Sequence, residues 1–171
     1  TYSIKMHRIV QTNNATGKVT YQASSASSTQ RGALIDRGSN GGVAGDDVRI
    51  IRVDPHCTVD VEGIDKHRIT DIRIVTAGAF VETNRGPVIL IMNQYAHAGK
   101  GKTIHSSGQM EWFKNGVDDR SKKVGGQQRV TTPDGYIILT NIVSGLPYIQ
   151  QRPYTDAKYD KHPHVFLTSD S

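Results

Sequence analysis

Ala33-Leu34-Ile35-Asp36-Arg37-Gly38-Ser39-Asn40 is the stretch on which the reading of this chain turns: three apolar residues run into a carboxylate, and a glycine follows two positions later. A short apolar run bounded by turn residues reads as a buried strand. The glycine permits a tight reversal that leaves the Asp36 carboxylate at the strand's open end. An Asp-x-Gly triplet also serves simply to hold its own turn, so its surroundings decide what it means.

Working outward toward the C-terminus, residues 58–61, 69–75, 79–83 and 88–92 are rich in β-branched residues and bounded by turn formers. Asn84-Arg85-Gly86 suits a hairpin turn between the last two. Five such strands between residues 32 and 92 predict a small, closed or nearly closed β domain, not alternating β and α. Toward the N-terminus, residues 2–10 read as a strand, residues 11–17 as a turn, and residues 19–22 as its hairpin partner. A Ser/Ala tract over residues 23–29 follows as a connector.

Beyond residue 95 the chain is polar, with a short helix expected over residues 106–114 and Ser106 as its cap. Residues 130–132 and 136–143 read as strands joined at Pro133-Asp134-Gly135. Pro153 and Pro163 break the end of the chain into an extended arm. The expected organisation is therefore an N-terminal hairpin and connector (1–29), a β domain (30–95), a basic loop with a β-hairpin extension (96–151), and an extended tail (152–171).

Composition narrows the class. Apolar residues make up 36% of the 171, below the globular average, which predicts a modest core or one shared between subunits. A lone cysteine, Cys57, excludes an internal disulfide and any multi-cysteine zinc site. The net charge is +5, but the basic residues are scattered. A solvated surface is therefore favoured over a nucleic-acid partner. No apolar run reaches membrane-spanning length, so no membrane partner is expected. Because the chain starts at Thr1, it is expected to be a piece of a longer product. Asn14-Ala15-Thr16 fits a glycosylation sequon, which matters only in an exported protein.

The Asp36 segment resembles the catalytic strand and loop of retropepsins, the aspartic proteases of retroelements. Val61-Glu62-Gly63-Ile64 falls where that family has its flap hairpin, and Val88-Ile89-Leu90-Ile91-Met92 falls where its second core strand lies. Ile104-His105-Ser106-Ser107-Gly108-Gln109-Met110, Asp134-Gly135-Tyr136 and Gly145-Leu146-Pro147-Tyr148 resemble the protease-to-integrase junction of copia-type polyproteins. The resemblance spans roughly residues 30–150. It implies a retropepsin-like β domain that dimerises, with Asp36 from each subunit supplying acid and base and Gly38 shaping the loop. Glu62, Gly63, Ile64 and Asp65 would close over an extended peptide of the polyprotein. It further implies a cytoplasmic or virus-like-particle setting, and neither metal nor cofactor.

Two positions depart from the family: the closing strand ends Ile91-Met92-Asn93 where the family usually has glycine, and the more serious departure lies beside Asp36. Arg37 stands where the family has Thr or Ser, whose hydroxyl bonds across the dimer beneath the carboxylates. Arginine has no acceptor, and a guanidinium beside Asp36 favours the charged carboxylate. The departure means that Arg37 turns outward in a variant geometry or that the apparatus is degenerate, and activity in isolation is expected to be low or absent. The competing function is accordingly a non-enzymatic, self-assembling β-rich fibril or particle subunit derived from that fold, extracellular if a fibril.

Rival motifs carry less. Ala96-His97-Ala98-Gly99-Lys100-Gly101-Lys102-Thr103 satisfies a permissive phosphate-loop pattern, but too few residues follow for a parallel sheet with crossover helices. The histidines, including His97, His105, His162 and His164, lack ligand spacing and read as surface residues. Asp46-Asp47 and Asp118-Asp119 read as turn residues, and Trp112-Phe113 as core or an oligomer contact.

Overall fold

The computed structural model describes residues 11–12, 19–23, 32–63 and 68–168. The expected strand over residues 2–10, the sequon at Asn14 and the flap residues Ile64 and Asp65 lie outside them. The protein is mostly β. In chain order come β1 (Gln11–Thr12), β2 (Val19–Ala23), β3 (Ala33–Asp36), β4 (Val43–Ala44), β5 (Arg49–Gly63), β6 (Arg68–Thr83) and β7 (Gly86–His97). Then follow β8 (Ile104–Ser106), α1 (Ser107–Trp112), β9 (Gly116–Asp118), β10 (Arg129–Thr131), β11 (Ile137–Leu139), β12 (Asn141–Val143) and β13 (Leu146–Ile149). The chain closes with α2 (Asp156–Lys161) and β14 (His164–Phe166).

One large sheet runs β1-β2-β5-β6-β7-β4-β8-β3-β13-β12, with β14 added alongside β7, and β11-β10-β9 form a second small sheet. The large sheet has two ends, so the expected closed barrel is not seen among the described residues.

The β5–β6–β7 meander is its backbone. Residues read as separate short strands fuse here, because bulges bend long strands without ending them. β5 also takes in residues 49–57, which the sequence reading passed over. Its register slips between Val53 and Thr58, around Pro55, where the Asp54 carboxylate accepts the His56 amide at 2.8 Å. The expected turn at Asn84-Arg85-Gly86 is present; Gly86 has φ +95°, and the Thr83 hydroxyl donates to the Gly86 carbonyl at 2.7 Å.

Period-two alternation builds two apolar faces from the same strands. Ala77, Ala79 and Val81 of β6 and Val88, Leu90 and Met92 of β7 enter the main core, while Phe80, Ile89 and Ile91 face the other way. A bulge then changes the parity of β7. Ala77 pairs with Met92 but Val75 pairs with Tyr95, one extra residue on β7, and Gln94 takes φ +63°. The extra residue returns Tyr95 to the core face, which strict alternation from Met92 would have denied it.

The C-terminal segments are woven into this frame. β3, the Asp36 strand, is flanked by β8 and β13, both from the segment read as an extension. The tail does not lie as an extended arm. Thr155 caps α2 by accepting the Lys158 amide, and β14 pairs in parallel with Ile89–Ile91. Val165 and Leu167 bury in the main core, which draws the arm down. Pro163 fits because it contributes only its carbonyl, accepting the Ile89 amide at 2.8 Å.

Candidate active site

Asp36 ends β3, with Leu34 and Ile35 buried before it and its own side chain half-buried. The Gly38 amide donates to Asp36 Oδ1 at 2.8 Å, and the Ser39 hydroxyl donates to Oδ2 at 2.8 Å. Both carboxylate oxygens are thereby fixed by residues of its own loop.

The loop beyond is buried from Ser39 through Gly45 and pinned at several points. The Ser106 hydroxyl donates to the Ser39 carbonyl at 2.7 Å while accepting the Gln109 amide at 3.1 Å, so the expected helix cap also anchors the loop. Gln109 Oε1 accepts the Gly42 amide at 2.8 Å, and its Nε2 donates to the Gln94 carbonyl at 3.2 Å. The Tyr21 hydroxyl reaches the same carbonyl at 2.9 Å. A Cβ on Gly41 would overlap the Tyr21 ring, and one on Gly42 the Tyr95 ring. Two glycines are required there because two tyrosines occupy the space a side chain would need.

Arg37 is turned onto two carboxylates of its own chain: Glu111 at 2.9 Å and Asp119 at 3.1 Å. Burial opposes its charge, but the hydrogen bonds with Asp119 and Glu111 outweigh that and hold its pKa above the ordinary value. Asp119, read from sequence as a turn residue, is one of its two partners.

Among the flap residues, Glu62 and Gly63 end β5, whose edge β2 covers in parallel, with Gln22 beside Glu62 and Ala23 beside Gly63. Glu62 pairs with Arg68 at 3.3 Å, and the same guanidinium meets buried Asp60 at 2.6 Å. The hairpin limbs are thus cross-tied near the described end.

A buried polar chain lies beside the loop and was not legible in the sequence. His105 has no exposed surface, against the expectation of a surface histidine. Its Nδ1 lies 2.6 Å from the Tyr95 hydroxyl and its Nε2 2.7 Å from Gln151 Oε1. Gln151 Nε2 donates to Asp47 at 3.4 Å, the Thr103 hydroxyl donates to the same carboxylate oxygen, and the Gly45 amide donates to Thr103 at 3.0 Å. Burial lowers the His105 pKa to about 4 against a smaller opposing contribution from Gln151. Burial likewise raises Asp47 above the usual carboxylate range and Tyr95 well above the usual phenol range. Asp47 is therefore a network member, not simply a turn residue.

The phosphate-loop pattern is absorbed differently. Residues 98–103 lead into strand β8, not a helix, so no ring of helix-terminal amides forms there. Thr103 belongs to the buried network, and Lys102 Nζ sits 5.3 Å above the Tyr148 ring. Trp112 is 48% exposed, while Phe113 is buried. Among the described residues no three His, Cys, Asp or Glu side chains converge as a metal site, and no helix is long and apolar enough to cross a membrane. In comparison with known proteins, no family model, no curated sequence and no solved structure matches this chain.

Proposed function

We propose that this chain is a retropepsin-like aspartic endopeptidase domain of a retroelement polyprotein, working as a homodimer. The observation that carries it is the Asp36 loop: a carboxylate at a strand end, with one oxygen held by the Gly38 amide and the other by the Ser39 hydroxyl. One such loop per chain supplies half a dyad, so a second copy completes it. Two carboxylates brought together share one proton, because like charges that close do not both ionise. The charged partner takes a proton from water as it attacks the peptide carbonyl, and the protonated partner donates. Ser39 brings a hydroxyl to Asp36 from within the loop, although Arg37 occupies the family's Thr or Ser position. Glu111 and Asp119 supply Arg37 with counter-charge, which favours the outward-turned variant geometry over degeneracy.

β7 pairs with β6 only from Ile74 onward, so the outer part of the β5–β6 hairpin projects beyond it. That projection suits a flap in which Glu62 and Gly63, with Ile64 and Asp65, close over a peptide bound as an added strand. The test is cleavage of peptides spanning the parent polyprotein's junctions. Wild-type chain should cut and Asp36→Asn should not. Equal cleavage by the two overturns the reading.

A second reading has its own support. β12 ends the large sheet, and Leu139, Ile142 and Leu146 around it are exposed. An open edge beside apolar side chains is what a self-assembling scaffold uses to add subunits. Under that reading wild-type chain assembles without cutting, and Asp36→Asn assembles equally well.

A further inference from the structure

Two cations meet on the outer face of β6 and β7, where the C-terminal arm folds back and Asp156 pairs with Arg49. Phe80 is buried there, yet two cations are drawn to its ring: the Arg152 guanidinium at 4.7 Å and Lys158 Nζ at 4.5 Å from the centroid. The His162 ring meets the same phenyl edge-on at 5.3 Å. Next to it Tyr154 stacks on Tyr159 at 5.5 Å, and the His164 ring lies 4.2 Å from Tyr159. Phe166, two residues beyond His164 on the same strand, is 42% exposed.

Neither Arg152 nor Lys158 has a carboxylate within salt-bridge distance among the described residues. Centred on one ring, their charges sit within about one Debye length of each other, where water and salt do not fully screen their repulsion. Cation–π attraction holds each in place, and an anion bridging them would relieve the repulsion. Two cations on the same sheet face as the exposed Phe166 ring match a polymer that alternates phosphate and planar base. Only unpaired bases offer their faces for stacking, so a single strand fits and a duplex does not.

We propose that this face, built by Arg152, Lys158, His162, Tyr159, His164 and Phe166, binds single-stranded nucleic acid through its phosphates and bases. The proposal is independent of the proteolytic reading, because none of these residues belongs to the Asp36 loop.

The test is fluorescence anisotropy of the full chain with a labelled 12-nucleotide RNA of mixed sequence, titrated at several salt concentrations. Wild-type chain should bind with a salt-dependent constant. Arg152→Gln with Lys158→Gln should weaken binding about tenfold or more at low salt and reduce the logarithmic salt slope by about 1.4, two phosphate contacts at roughly 0.7 each on a single strand. Lys122→Gln with Lys123→Gln removes the same charge from an exposed site elsewhere and should leave the slope unchanged. Phe166→Leu should weaken binding about fivefold or more with the slope intact, the signature of lost stacking. Unchanged circular dichroism and melting temperature establish that each variant is folded. The proposal is overturned by absent binding at low salt, by equal slope losses in the two double variants, or by equal binding of a polyglutamate peptide or an RNA duplex.

Discussion

The Tyr95 hydroxyl and His105 Nδ1 lie 2.6 Å apart, and the contact exists because the β7 bulge turns Tyr95 inward while β8 carries His105 to meet it. The other end of the chain fixes the proton. Gln151 Nε2 faces the Asp47 carboxylate, so Gln151 Oε1 faces His105 and accepts from Nε2–H. Nδ1 of the neutral ring is then the acceptor, and Tyr95 donates to it.

That arrangement gives a sign to the pH dependence of stability. His105 titrates near 4 in the folded chain and near its ordinary 6.5 when unfolded. Above 6.5 both states are neutral there and nothing is lost. Between 6.5 and 4 the unfolded state binds the extra proton, so stability falls with pH, by about 3 kcal/mol once below the folded value. Asp47 acts in the opposite sense, because its raised folded pKa lets the folded chain hold a proton that the unfolded chain releases. Urea unfolding of wild type and His105→Gln at pH 7.5 and pH 4.5 separates the two. The variant should lose most of the acid destabilisation, and parallel pH dependence would remove His105 as its cause.

Gly41 and Gly42 should not accept alanine. An added Cβ on Gly41 would stand 2.5 Å from Cδ2 of the Tyr21 ring, and Tyr95 blocks Gly42 in the same way. Both rings are fully buried and cannot swing aside cheaply. Each substitution should cost roughly 2–3 kcal/mol as overpacking, read as a lower urea midpoint with unchanged m-value. Gly86→Ala meets no atoms but sits at φ +95°, and should cost only about 1 kcal/mol. If all three cost the same, the tyrosines are not the reason for the paired glycines.

How much of this was legible follows from how local each cause is. The turn at Asn84-Arg85-Gly86 and the Ser106 cap are set by residues a few positions apart, and both stand where the sequence puts them. The strand over residues 49–57 was missed because Pro55 and three charged residues disguise an irregular strand whose partner makes it. The tail was misread because its prolines are visible locally, while the core that buries Val165 and Leu167 is not. In the site, Asp36 and Gly38 were named from the Asp-x-Gly pattern together with the family resemblance of the residues around it. Glu111 and Asp119 lie more than seventy residues from Arg37, and nothing near them marks them as its partners.

Arg37 should matter little to stability. Its side chain is half-exposed and its two ion pairs lie at the surface, where such pairs contribute about 0–1 kcal/mol. Arg37→Thr should therefore shift the urea midpoint by clearly less than Gly41→Ala or Gly42→Ala does. A large loss would mean that the guanidinium anchors the loop itself. Asp36→Asn should also fold, since the amide oxygen can still accept the Gly38 amide.

On the proteolytic reading, Glu111 and Asp119 serve catalysis through their hold on Arg37. While both carboxylates hold Arg37, the guanidinium is committed away from the dyad. Arg37→Thr in the wild-type background should then change cleavage by only a fewfold. Glu111→Gln with Asp119→Asn frees the guanidinium beside Asp36, where it favours two charged carboxylates and leaves neither with a proton to donate. Cleavage should fall about tenfold or more, with the loss concentrated in kcat. Adding Arg37→Thr to that double variant should restore activity, because the freed charge and not the missing carboxylates causes the loss. Such rescue is a coupling that independent structural damage would not produce, since unrelated defects add. A triple variant as inactive as the double would show that Glu111 and Asp119 serve the loop in some way other than holding Arg37.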